Sequence, residues 1–218
     1  MASAEPIARK HGRGAHEASK GPRVDRDTEE RMSTAWNTTA TWVRIGLAAL
    51  AAAHGAIWWR ALAWWPQLPE QIPIHFNAAG EPDRWVERSA AAWFFAPALM
   101  VALCLFIGGI ARWIDRLATH TPGMLNIPRK DLFLRLSPAA RCEVVLPTRS
   151  LLVWVLVGVN LLGLTIVEGM GRVAVVGEAT VSILPVVAFV AFAGALCFVS
   201  VRSTSRAVER LAKVEGLE

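Results

Sequence analysis

Four stretches of the chain lack any Lys, Arg, Asp or Glu: residues 45–59, 89–111, 150–167 and 179–201, of 15, 23, 18 and 23 residues. A helix rises about 1.5 Å per residue, so roughly 20 apolar residues cross the hydrocarbon of a bilayer. The second and fourth runs exceed that need and the third just meets it. The first is interrupted by Arg60, but Ala61–Leu68 continues without charge, so Ile45–Trp65 serves as a span if Arg60 extends its head to the outer interface. None of the four runs carries the polar face that a helix of a water-soluble bundle presents to solvent. The pattern predicts an all-α integral membrane protein with four transmembrane helices. Pro97 and Pro185 lie inside two of the runs and are expected to kink them.

The polar segments divide the remainder. Residues 1–41 hold seven basic and six acidic residues without hydrophobic periodicity, and read as a disordered cytoplasmic tail. They lack the apolar core of a signal peptide, so the first span is expected to act as an uncleaved anchor. Residues 42–113 then comprise helices one and two with a loop at 66–88, residues 114–149 an interfacial loop, residues 150–202 helices three and four, and residues 203–218 a second tail.

Composition sharpens this division. The 218 residues are 54% hydrophobic and 19% charged, and their mean hydropathy is +0.37. All charges fall outside the four runs. Counted along the chain, Lys and Arg number eight through Arg44, three from Arg60 to Arg88, seven from Arg112 to Arg149, one at Arg172 and four in the tail. By the positive-inside rule this alternation places both termini and the middle loop in the cytoplasm, and loop 66–88 outside. The net charge of +5 then reflects orientation and attraction to anionic headgroups, and no nucleic-acid partner is expected. Cys104 and Cys197 lie in spans and Cys142 in the middle loop, which suits reduced thiols rather than a disulfide framework.

Ten tryptophans and no tyrosine mark the interfaces. Trp58, Trp59, Trp64, Trp65 and Trp93 fall at the outer level, and Trp36, Trp42, Trp113 and Trp154 at the inner, as an aromatic belt requires. Within the spans, His54 and Asn160 are polar groups near mid-membrane, expected to face each other in the bundle. Glu168 closes the third span, where its carboxylate can be hydrated. His11 and His16 in the tail have no context that makes a metal site, and no metal or cofactor is expected anywhere.

The outer loop is the most specific segment. Pro66, Pro69 and Pro73 prevent helix continuation. Ile72, Ile74 and Phe76 alternate with polar positions as a short strand does, and Asn77-Ala-Ala-Gly80 makes a turn in which Gly80 can take positive φ. A compact extracytoplasmic hairpin is predicted, with Trp85 returning to the membrane. In the middle loop, Leu132, Phe133, Leu134 and Leu136 interleave with Arg129, Lys130 and Arg135, which suits a segment lying on anionic lipid. Ser137-Pro138 reads as the N-cap and first turn of a short helix ending near Pro147.

The sequence His75-Phe76-Asn77-x-x-Gly80-x-Pro82-Asp83-x-Trp85, preceded by Leu68-Pro69-x-x-Ile72-Pro73, resembles the signature of the bacterial membrane family called domain of unknown function 1648, which includes relatives of the immunity protein SdpI. A second segment, Asn126-Ile-Pro128-Arg129-Lys130-Asp131-Leu132-Phe133, resembles the family's cytoplasmic motif, with Leu132 and Phe133 standing where Tyr-Trp is usual. The resemblance covers residues 43–150. It implies a non-enzymatic, multipass protein of the bacterial plasma membrane, of immunity or signalling type. Its outer loop (His75, Phe76, Asn77, Gly80, Asp83, Trp85) would face an extracytoplasmic peptide or envelope signal. Its inner loop (Asn126, Pro128, Lys130) would face lipid or a cytoplasmic partner. Two other readings compete: a small transporter or transporter subunit using His54, Asn160 and Glu168, and an outer-face enzyme using His75 and Asp83. No nucleophile elbow, phosphate loop or zinc-protease pattern occurs in the chain.

Overall fold

The protein is described here by a computed structural model covering the backbone of residues 26–218, and side chains from Thr39 onward; His11 and His16 lie outside the described residues. The elements in chain order are α1 (Arg26–Trp64), β1 (Gln71–Phe76), β2 (Pro82–Glu87), α2 (Ala90–His120), α3 (Lys130–Arg135), α4 (Pro138–Val144), α5 (Leu146–Gly171) and α6 (Leu184–Val214). Among the described residues, four segments are long and apolar enough to cross a membrane: Thr39–Gln67, Ala90–His120, Pro138–Val176 and Leu184–Val214. Each overlaps one of the four uncharged runs. Helix α5 is central and packs on α1, α2 and α6.

The long helices overshoot their uncharged runs. Residues 26–41, expected as part of a disordered tail, belong to α1. No proline or glycine interrupts this stretch, so the helix nucleated in the apolar run extends backwards without a break. Residues 203–214 are likewise the end of α6 rather than a free tail. Their stripe of Ala207, Val208, Leu211 and Ala212 is buried against Leu132, Phe133, Leu136, Ala140 and Val144. The middle loop therefore differs from the expected lipid-facing segment. Leu132, Phe133 and Leu136 are covered by the chain itself, and of the four apolar residues only Leu134 remains exposed. Burial against a complementary helix face removes these side chains from water more completely than an interface does.

Local signals explain the short helices. Ser137 accepts a hydrogen bond from the Ala140 amide at 3.3 Å, and its own amide and hydroxyl donate to Glu215 at 2.9 and 2.5 Å. Pro147 lies in the first turn of α5, immediately after α4 ends. Pro97 is inside α2, whereas Pro185 occupies the first turn of α6, where a proline starts a helix instead of kinking it.

The second core lies at the opposite end of the bundle, where α1 ends and α2 begins. Ile57, Ala61, Trp64, Leu68, Ile72, Trp93, Met100, Val167 and Met170 form it. Trp93 is 1% exposed and its indole donates to the Ala61 carbonyl at 2.8 Å, so it is a core residue and not the belt residue expected. Trp64 is buried too, with its ring over Gly171, where a Cβ would come within 2.6 Å of the indole. Trp42, Trp59 and Trp113 keep their rings exposed.

Candidate functional site

The expected hairpin is present. Pro66 falls in the single 3-10 turn Trp65–Gln67 that ends α1, and β1 and β2 then pair antiparallel, with Gln71 opposite Glu87, Ile72 opposite Val86 and Pro73 opposite Trp85. The register slips on both sides of His75, which faces Arg84, while Phe76 faces Pro82. Ile74 on β1 and Asp83 on β2 are consequently the unmatched residues. This breaks the simple alternation expected of β1: Ile72 is fully buried, Phe76 packs against the edge of the core, and Ile74 is exposed. Such bulges re-aim side chains. Here they bring His75 Nδ1 to 2.6 Å from Asp83 Oδ1, with the two side chains 56% and 44% exposed.

The turn is closed by Asn77. Its Oδ1 accepts from the amides of Ala79 and Glu81 at 2.9 and 3.0 Å, and its Nδ2 donates to Glu81 Oε2 at 2.9 Å. Glu81 is thus committed to Asn77 and does not converge with His75 and Asp83. Among the described residues no group of three metal-ligating side chains occurs. Gly80 has φ of 81° and accepts at its carbonyl from the Val181 amide at 2.8 Å, which docks the hairpin tip on the connector between α5 and α6. At the open end, the Arg88 amide donates to the Glu70 carbonyl at 2.7 Å, the Arg88 guanidinium donates to the Leu68 carbonyl at 2.6 Å, and its cation lies 5.6 Å from the Trp65 ring centre. Trp85 projects from β2 with 44% of its surface exposed.

A charged network that sequence reasoning missed lies beside the hairpin. Arg60 does not reach out to the interface alone. Its Nε and Nη2 donate to the two oxygens of Glu168 at 2.7 and 3.0 Å, a bidentate pair joining α1 to α5. The Trp64 indole and Arg172 Nε donate to the same carboxylate at 3.1 and 3.2 Å, and Arg172 Nη1 donates to Glu178 at 3.2 Å. Glu168 is accordingly a hub and not the simply hydrated group expected. Opposite charges closing two neighbouring spans were the signal available for it.

His54 and Asn160 do meet. The Trp58 indole donates to His54 Nε2 at 3.2 Å, which leaves the ring proton on Nδ1, donated to Asn160 Oδ1 at 2.9 Å. Asn160 Nδ2 then donates to the Leu156 carbonyl at 2.9 Å. The middle-loop residues are one α2 length away from the hairpin and are not brought to it. Asn126 is exposed, Pro128 is half-buried, and Lys130 Nζ donates to the Gly123 carbonyl at 2.7 Å. Arg129 adopts φ of 57° and bonds Glu209 and Glu218 at 3.3 and 2.7 Å, tying this loop to α6 and the C-terminal residue.

Residues 52–101 match the family model described as domain of unknown function (DUF1648). The match takes in the last third of α1, the whole hairpin and the first turns of α2, so the matched segment is the part of the chain that builds the His75–Asp83 pair and its bracing. An archaeal protein of Archaeoglobus fulgidus, described as "Uncharacterized protein", is 35% identical over 91 residues, covering 39% of this chain. The chain spans 44% of that relative's length. No solved structure matches the chain.

Proposed function

We propose that this multipass protein is a non-enzymatic receptor of the bacterial plasma membrane, with both termini cytoplasmic and the DUF1648 hairpin outside, where it recognises an extracytoplasmic peptide or envelope signal. The observation that carries the reading is the exposed His75–Asp83 pair, set at 2.6 Å by two bulges on a hairpin braced at both ends. A solvent-facing pair held on so firm a support is suited to meeting a ligand without first being ordered. The distribution of Lys and Arg supports the orientation. An immunity or signalling role accords with the resemblance to SdpI relatives, and the Arg129 loop packed on α6 gives a cytoplasmic partner a surface to dock on.

The transporter reading would use His54, Asn160 and Glu168. Each of these is occupied by internal hydrogen bonds, so no specific observation favours it. The test is peptide sensitivity in cells producing His75→Ala, Asp83→Ala or Trp85→Ala variants, scored beside membrane insertion. Variants that insert normally and lose the protection or response given by the parent chain support the receptor reading. Unchanged sensitivity across all three, with normal insertion, removes it.

A further inference from the structure

Two recesses on the α5–α6 side of the bundle are adjacent. The first, about 420 Å³, lies beside the hairpin and is lined by Arg60, Glu168, Arg172, Glu178, Thr180 and Ser182 among others. The second, about 430 Å³, is apolar and lined chiefly by Trp154, Leu161, Leu162, Ala188, Phe189 and Phe192. Thr165 and Pro185 line both, so a chamber rimmed by charged side chains adjoins an apolar groove running along two membrane-spanning helices. A small polar solute would leave the groove empty, and a hydrocarbon would leave the chamber unsatisfied. The joined shape fits an amphiphile.

The chamber's charges define its head. Arg60 and Arg172 supply two guanidinium groups, and Glu168 and Glu178 two carboxylates, so its formal charge is balanced. Glu168 is saturated by Arg60, Trp64 and Arg172. Glu178 receives a single hydrogen bond among the described residues, at Oε1 from Arg172. Arg60 Nη1 and Arg172 Nη2 have no protein acceptor among the described residues. These two spare donor nitrogens, on guanidinium groups otherwise paired with Glu168 and Glu178, lie beside a carboxylate oxygen with spare capacity and match a head that carries both a phosphate and an ammonium. A purely anionic head would add net negative charge beside Glu178 in a recess whose own charges already balance.

We propose that this site binds a zwitterionic phospholipid bearing a primary ammonium, with its phosphate on Arg60 and Arg172, its ammonium on Glu178, and an acyl chain in the groove along Phe189 and Phe192. The connector that walls the chamber includes Val181, whose amide holds Gly80, so the lipid would abut the segment that docks the hairpin. The site does not depend on what the hairpin recognises.

The test is lipid retention. The full chain is reconstituted in an equimolar mixture of phosphatidylethanolamine, phosphatidylglycerol and phosphatidylcholine, extracted in mild detergent and examined by native mass spectrometry. Phosphatidylethanolamine should be retained in about tenfold excess over either competitor, the ratio one charge-assisted hydrogen bond provides. Glu178→Gln, an exposed substitution, should abolish that preference while lipid is still retained. Ala188→Trp, which fills the groove from its exposed side, should remove retained lipid of every class with the helical circular dichroism unchanged. Retention in the proportions of the mixture, preference for phosphatidylglycerol, or a dimer in place of bound lipid would each overturn the proposal.

Discussion

Gly80 and Val181 lie so close that a Cβ on the glycine would stand 2.0 Å from the Val181 carbonyl oxygen, while the Val181 amide donates to the Gly80 carbonyl at 2.8 Å. Glycine is therefore required twice, for contact and for its φ of 81°. A non-glycine residue in left-handed backbone costs about 1–2 kcal/mol, and the clash adds to it. Gly80→Ala should free the hairpin tip from the α5–α6 connector without unfolding the spans. Hydrogen exchange would show it: the Val181 amide should lose protection, while amides in the middle of α5 keep theirs. Unchanged protection at Val181 would mean that the tip docks by other contacts.

The Arg60–Glu168 pair joins two spans through a bidentate contact that is about one-third exposed on each side. Removing Glu168 strands Arg60 and the Trp64 indole, whereas removing Arg60 takes the bidentate partner from Glu168 and leaves it Trp64 and Arg172. Arg60→Gln and Glu168→Gln should each lower thermal stability in detergent by about 1–3 kcal/mol, the range for hydrogen bonds to charged groups. The double variant should cost less than the sum of the single ones, because each removes the same contact. Strict additivity would show that the pair contributes little as a pair.

How far the sequence foretold these features follows from the range of the forces behind them. The spans were legible because charge in hydrocarbon is costly at every position, so its exclusion shows in each run independently. The hairpin was legible because prolines and the Asn77–Gly80 turn act within a few residues. Arg60 and Glu168, by contrast, are 108 residues apart, and nothing local indicates which helix faces which. The same ambiguity covers Trp93 and Trp59: composition assigns both to a belt, but helix rotation buries one and exposes the other. Leu132, Phe133 and Leu136 read as lipid-facing because their covering surface, the end of α6, looked like a charged tail. At the site, the motif singled out His75 and Asp83, whereas the two bulges that bring them together were hidden by an apparently regular alternation.

The His54–Asn160 contact crosses from α1 to α5, and the Trp58 indole fixes which imidazole nitrogen donates. Interhelical hydrogen bonds of this kind contribute on average about 0.6 kcal/mol and rarely above 2 kcal/mol in membranes. His54→Phe should therefore insert and fold with a small loss of stability and leave ligand responses of the hairpin intact. A transporter would behave otherwise, since the same substitution would abolish solute flux in proteoliposomes. Flux present in the parent chain and absent in His54→Phe would replace the receptor reading with the transport one.

Phe133 is wholly buried between α3 and the last turns of α6, in a cluster separate from the one beneath the hairpin. Truncating a buried Phe to Ala typically costs about 3–5 kcal/mol. Because the cluster belongs to α3, α4 and the end of α6, that loss should fall on their docking and leave the spans in place. Phe133→Ala should then open Arg129, Lys130 and Arg135 to trypsin in inside-out vesicles, with cleavage several-fold faster than in the parent chain. Labelling of a cysteine introduced at the exposed Ile74 position, at the other end of the bundle, should be unaffected. Tryptic resistance equal to that of the parent would mean that α3 is held by its polar ties through Arg129 and Ser137, with the aromatic ring contributing little to docking.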